Sequence, residues 1–150
     1  MATVTCSAAL PGVQPKNVYK GVNAKTFVRA DVVSLAAGDV VLCCKIPNRA
    51  MVLDAAIRLG HNADTQATAN IFLAKDGNGS ATAIAQLGTQ VLSATGGAVM
   101  FRPGSTWTPT RISLSDDAAV QHAFLKVSVQ AGTTTTSFSL AGWISYAMDE

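Results

Sequence analysis

Short apolar runs and segments that alternate apolar and polar with a period of two recur along the chain, and the clearest stretch runs from Gly38 to Leu59. Val40, Val41, Leu42, Cys43, Cys44 and Ile46 form a continuous apolar run of the length of a largely buried strand. Pro47, Asn48 and Arg49 then punctuate it: proline fixes φ and removes an amide donor, asparagine tolerates turn conformations, and arginine keeps the tip in water. Beyond the turn, Leu53, Ala55, Ile57 and Leu59 fall on one face, with Asp54, Ala56 and Arg58 on the other. This pattern predicts a strand pair closed by a tight turn, a core hairpin with Arg49 at its tip.

The same reading extends in both directions. Thr26 to Leu35 is expected as a strand, Gly60 to Gln66 as a polar loop, and Ala67 to Lys75 as a strand with Ala69, Ile71 and Leu73 inward. Asp76 to Ser80 (DGNGS) is the strongest turn signal in the chain. Ala83 to Leu92 fits a strand interrupted at Gly88 or a short helix, and its pattern favours the strand. Ala98 to Phe101 and Thr110 to Leu114 are short apolar pieces flanking a loop that carries Trp107 and Pro109. Ala123 to Ala131 alternates again, GTTTT at Gly132 to Thr136 reads as a hairpin loop, and Ser137 to Tyr146 returns with Phe138, Leu140, Ile144 and Tyr146 on one face. Short strands separated by Gly and Pro turns, with no long helical pattern between them, predict an all-β chain: a β-sandwich or jelly-roll-like antiparallel domain.

Residues 1–25 lack either period and carry Pro11, Gly12, Pro15 and Gly21. They are expected as an extended N-terminal arm, with residues 26–150 as the single sandwich domain. The arm's Val4, Leu10, Val13, Val18 and Tyr19 need a surface to lie on, which makes them candidate interface residues together with Arg49 and Trp107.

Composition removes several classes of function. Charged residues are 13% of the chain, about half the roughly 25% usual for a soluble domain, so the surface is largely Ala, Ser, Thr, Gly and Asn. The net charge of +2 is scattered and builds no basic stripe for nucleic acid. No apolar run approaches the roughly 20 residues of a membrane helix, and the first residues show no basic segment followed by an apolar one, so no secretory signal is expected.

Candidate chemistry is sparse. Cys6, Cys43 and Cys44 are odd in number, and adjacent residues of a strand point to opposite faces, so a disulfide framework is not expected and buried thiols fit a reducing compartment. His61 and His122 are isolated, no zinc spacing accompanies them, and no metal or other cofactor is expected. Asp116 and Asp117 follow Ser115 as turn-capping residues do, and Asp76 to Gly79 lacks the closing carboxylate of a calcium loop. With no nucleophile, base or carboxylate pair assembled, the chain reads as a non-enzyme. Trp107, Trp143, Phe72 and Phe124 offer a sugar-stacking platform if they share a face; core packing or a subunit contact explains the same aromatics.

The strand with K-I-P at Lys45 to Pro47, the short tip, V-L-D at Val52 to Asp54, the polar loop and the Ala/Thr-rich strands after it resemble small virion proteins of tailed bacteriophages, nearest to head decoration or cement proteins. That resemblance implies a subunit that forms a homo-oligomer, a trimer, and binds the major capsid protein on the capsid surface after assembly in the host cytoplasm. A head-fibre base, a tail protein or a carbohydrate-binding attachment sandwich are the other readings it leaves open.

Overall fold

The computed structural model describes residues 3–9, 22–29, 35–63, 67–75, 83–92, 97–114, 122–131 and 133–148. Eleven strands among them form two facing sheets. In the first, β1 (Thr3–Thr5), β4 (Val40–Pro47), β10 (His122–Ala131), β6 (Ala67–Ala74) and β7 (Ala83–Leu92) lie side by side in that order. The second runs β2 (Val22–Arg29), β11 (Thr133–Met148), β5 (Ala50–Ala63), β8 (Gly97–Phe101). Two short pieces extend it, β3 (Leu35–Ala36) against β11 and β9 (Thr110–Arg111) against β5. The chain is thus an all-β sandwich, as the alternation predicts, and Ala83 to Leu92 is a strand.

The core lies between the sheets and is filled from both. Ile71, Leu73, Leu125 and Val127 of the first sheet meet Ile57, Leu59, Leu140 and Ile144 of the second, all at most 2% exposed. Burying each such side chain contributes about 1.5–3 kcal/mol relative to leaving it in water.

Connectivity departs from the sequence reading in a consistent way. β4 and β5 are joined by Asn48 and Arg49 but do not pair: β4 pairs with β1 and β10, while β5 pairs with β11, β8 and β9. The expected core hairpin is instead a corner that carries the chain from one sheet to the other. The expected C-terminal hairpin is a second such corner, because β10 pairs with β4 and β6 and β11 with β2, β3 and β5. Thr133 to Thr136, expected in a loop, are the start of β11, and Gly60 to Ala63 are the end of β5. The strand expected from Thr26 begins at Val22. β6 and β7 do form an antiparallel pair; the DGNGS segment between them lies outside the described residues.

Two of the register irregularities among the described strands decide which residues of β4 and β5 face the core. On β4, Leu125 pairs with Cys44 and Lys126 with Leu42, so Cys43 is an extra residue in the ladder. Cys43 and Cys44 therefore both belong to the core cluster, contrary to the expected opposite faces. On β5, Ser145 pairs with Asp54 and Tyr146 with Val52, which leaves Leu53 as the extra residue and hands its inward place to Val52.

The start of the chain is built into the sandwich. β1 pairs in parallel with β4, the amide of Cys6 donates to the Leu42 carbonyl at 2.8 Å, and a 3-10 turn follows at Ser7–Ala9. Val4, Cys6 and Ala8 lie in the core, and Ala9 packs with Val40, Leu42 and Phe124 on the outer side of the first sheet.

Candidate functional site

The corner at Asn48 and Arg49 is held by a set of hydrogen bonds. Arg49 has φ 69°, in the left-handed region that few non-glycine residues occupy, and it is exposed. Its amide donates to the Ile112 carbonyl at 2.9 Å and to Asn48 Oδ1 at 2.9 Å. The same oxygen accepts the Leu114 amide at 2.9 Å, and the Ile112 amide donates to the Ala50 carbonyl at 2.7 Å. These bonds hold the backbone of an exposed arginine at the corner between the two sheets.

Trp107 sits in the loop between β8 and β9, where its amide donates to the Gly104 carbonyl at 2.9 Å. It is half-buried, packs against the core, and its Nε1 is buried without a hydrogen-bond partner among the described residues. Together with Gln86, Thr89, Phe101 and Arg102 it lines a cleft of about 700 Å³ beside the outer edges of β7 and β8. Of the arm residues, Val4 is turned into the chain's own core at 8% exposure. Leu10, Val13, Val18 and Tyr19 lie outside the described residues.

The four aromatics do not form one platform. Trp143 is on the outer face of the second sheet, Phe72 and Phe124 are on the outer face of the first, and Trp107 is in the edge loop. Each has a local partner instead. The Arg102 guanidinium lies 5.5 Å from the Trp143 ring centroid and is ion-paired to Asp54, Lys126 Nζ lies 6.0 Å from the Phe72 ring, and His122 meets Phe124 edge-on at 5.1 Å.

The sequence reading missed an exposed apolar surface on the second sheet. Val22, Ala24, Thr26 and Val28 all point outward from β2, while Asn23 and Phe27 point in. Across the strands, Val28 pairs with Ala141, Ala141 with Arg58, and Arg58 with Met100, which puts Val28 and Met100, 57% and 58% exposed, at the two ends of one row. The signal is present at Val22 to Val28 as an alternation, hidden because Val22, Ala24 and Val28 face outward while Asn23 is buried.

Several titratable groups influence one another: Lys25, Lys45, His122 and Cys44. Lys45 and His122 share a shallow pocket with Thr5, Leu42 and Phe124 on the outer face of the first sheet. Burial, then the charges of Lys45 and Lys25, holds His122 below its ordinary value. Lys25 is likewise held down by burial and by Lys45. Burial pushes the Cys44 thiol up to about 12 and drives Cys43 well above the usual thiol range. Both thiols are therefore neutral and unreactive in the folded chain at pH 7. No group of three His, Cys, Asp or Glu residues positioned to hold a metal occurs among the described residues, and the segments of Asp76 to Ser80 and Ser115 to Ala119 lie outside them.

The fold is that of phage capsid chains. A chain of the solved capsid of Ralstonia phage GP4 superposes with a TM-score of 0.70 over 99% of both chains at 17% identity. A chain of the Cyanophage Pam1 capsid asymmetric unit superposes with a TM-score of 0.52 over 93% of this chain and 100% of that one, at 16% identity. No protein-family model and no curated protein matches the sequence.

Proposed function

We propose that this protein is a structural subunit of a phage virion that binds the capsid lattice and stabilises it as a decoration or cement protein. The observation that carries the reading is the superposition on a chain of the GP4 capsid from end to end, with 99% of each chain covered. The match runs over nearly the full length of both chains. The low-charge surface, the Arg49 corner and the exposed Val22, Val28 and Met100 of the second sheet suit a subunit that works by repeated contact. In this role the chain acts as a homotrimer with the major capsid protein as partner, on the capsid surface, and its action is mechanical, not catalytic. Each copy adds buried area at a joint between coat subunits, and many weak contacts sum over the lattice.

The test is to add the purified protein to coat shells that lack it and to image the particles by cryo-microscopy. Density on the outer surface at joints between coat subunits, with a raised temperature of shell disruption, is the expected result. Density at a head fibre or in the tail would assign a different virion role, and no binding would end the proposal. Sedimentation equilibrium of the isolated protein tests the trimer.

A further inference from the structure

We propose that Cys6 and Cys43 are a latent disulfide that, once oxidised, staples the N-terminal strand to the sandwich. The parallel register of β1 and β4 pairs Thr3 with Val40, Val4 with Val41 and Thr5 with Leu42, and the Cys6 amide carries the ladder one step further by donating to the Leu42 carbonyl at 2.8 Å. Continuation of that register sets Cys6 beside Cys43. Neighbouring strands lie roughly 4.8 Å apart, inside the Cα separation of about 4.4–6.8 Å that a disulfide spans. Both side chains are fully buried in the same core cluster, because Cys6 and Cys43 continue the inward phase of the paired Val4 and Val41, and the two thiols are in hydrogen-bonding contact.

The chemistry is thiol–disulfide exchange with a low-molecular-weight disulfide such as oxidised glutathione. One cysteine thiolate attacks the glutathione disulfide, forming a mixed disulfide and releasing one glutathione thiolate. The second cysteine, after losing its proton to solvent, attacks the protein sulfur of that mixed disulfide, forms the Cys6–Cys43 bond and releases the second glutathione. Two protein thiols are oxidised and one glutathione disulfide is reduced to two thiols. Burial keeps both cysteines neutral in the closed fold, so exchange runs through transient opening of β1, a three-residue edge strand. The bond then removes that opening, since it closes the long loop from residue 6 to residue 43 and confines the unfolded chain. The chemistry belongs to the isolated chain; only its timing rests on the virion reading, in which a particle leaves a reducing cytoplasm for an oxidising medium.

The experiment uses the full-length purified chain with excess oxidised glutathione, beside a sample held in reductant. Thiols counted after denaturation fall from three to one, peptide mapping finds Cys6 joined to Cys43 within one chain, and the thermal transition rises by several degrees and returns on reduction. Cys44→Ala keeps the link. Cys6→Ala abolishes both the link and the rise, and its transition in reductant shows that it is folded. Three thiols surviving prolonged oxidation, a link to Cys44 or between chains, or a link with no gain in stability would overturn the proposal. None of these outcomes depends on capsid binding, and failure to bind a capsid leaves the linkage result unaffected.

Discussion

Asn48 and Leu114 are tied across the corner of the sandwich: Oδ1 of Asn48 accepts the Leu114 amide at 2.9 Å while also accepting the Arg49 amide at 2.9 Å. One side-chain oxygen thus fixes both the turn that changes sheets and the segment that follows β9. Asn48→Ala removes it and leaves the half-buried Leu114 amide without that acceptor. The expected loss is about 1–3 kcal/mol, read as a lower urea midpoint with an unchanged slope. Asn48→Asp keeps an acceptor at the same place and should lose less than Asn48→Ala; equal losses would mean that this oxygen is not what holds the corner.

The contrast between what the residues revealed and what they hid follows from the range of the forces involved. Alternation at Ala69, Ile71 and Leu73, or at Leu125 and Val127, is a local property of an extended backbone, and the inward phase was readable there. Pairing is not local. Val40 to Ile46 and Ala55 to Leu59 present the same pattern whether they pair with each other or, as here, with β10 and β11, and a two-residue connection such as Asn48-Arg49 suits a hairpin as well as a corner. The bulges at Cys43 and Leu53 leave no mark in the composition, so neither the shared face of the two cysteines nor the inward place of Val52 was legible. The exposure of Arg49 was readable because a charged residue after Pro-Asn has little alternative to solvent. The burial of Val4 was not, because the parallel partner that buries it lies far along the chain.

Gly142 is the position where the second sheet tolerates no side chain. A Cβ there would lie 2.3 Å from the Ala56 carbonyl oxygen, 2.9 Å from the Phe27 ring and 3.0 Å from the Ile57 Cα. Backbone on one side and a core aromatic on the other leave nothing flexible to yield. Gly142→Ala should cost at least about 3 kcal/mol, at the upper end of overpacking effects, and appear as a lowered thermal transition or failure to fold. Gly38→Ala tests a different cause. Nothing lies within 4 Å of a Cβ there, but φ is 94°, so its smaller loss is backbone strain alone. A Gly142→Ala protein as stable as the parent would overturn the packing account.

The shifted titrations set a pH window for stability. His122 is held below its ordinary 6.5 in the fold, so the unfolded chain takes up that proton first, and stability falls as pH drops below 6.5. The thiol of Cys44 is pushed from 9.0 up to about 12, so the unfolded chain loses its proton first, and stability falls as pH rises from about 9 toward 12. Cys43 and Tyr146, both raised chiefly by burial, act in the same direction at high pH. Lys25, held below 10.5, opposes them below that value. Thermal transitions followed by circular dichroism should therefore be highest between about pH 7 and pH 9. His122→Gln should flatten the acid side and Cys44→Ala the alkaline side; an unchanged alkaline loss in Cys44→Ala would remove the thiol as its cause.

Removing residues 1–9 separates a folding role of the chain's start from an assembly role. The deletion takes away β1 and the inward Val4, Cys6 and Ala8, and strips Ala9 from Val40 and Leu42. With one apolar side chain worth about 1.5–3 kcal/mol on burial, the truncated protein should lose several kcal/mol and melt well below the parent, whether or not any partner is present. An unchanged transition would make the start of the chain an accessory to the sandwich and would return Val4 to the interface candidates.

Arg49 offers the sharpest test of how such a subunit touches a neighbour. The corner's conformation is held by backbone hydrogen bonds and by Asn48, and a glutamate meets the same left-handed φ that the arginine already meets. Arg49→Glu should therefore leave the thermal transition within about 0.5 kcal/mol of the parent, as for most exposed substitutions. If the corner meets the coat lattice, the reversed charge slows association and changes its salt dependence, because charges at the edge of a contact act mainly on the on-rate. Binding of the variant to coat shells lacking the protein, measured at low and at moderate salt, reads this directly. Arg49→Gly, which removes the charge and relieves the backbone, should fall between the two. Parent-like binding by Arg49→Glu at both salt concentrations would move the contact off the corner and onto another surface, such as the outer face of the second sheet with its exposed Val28 and Met100.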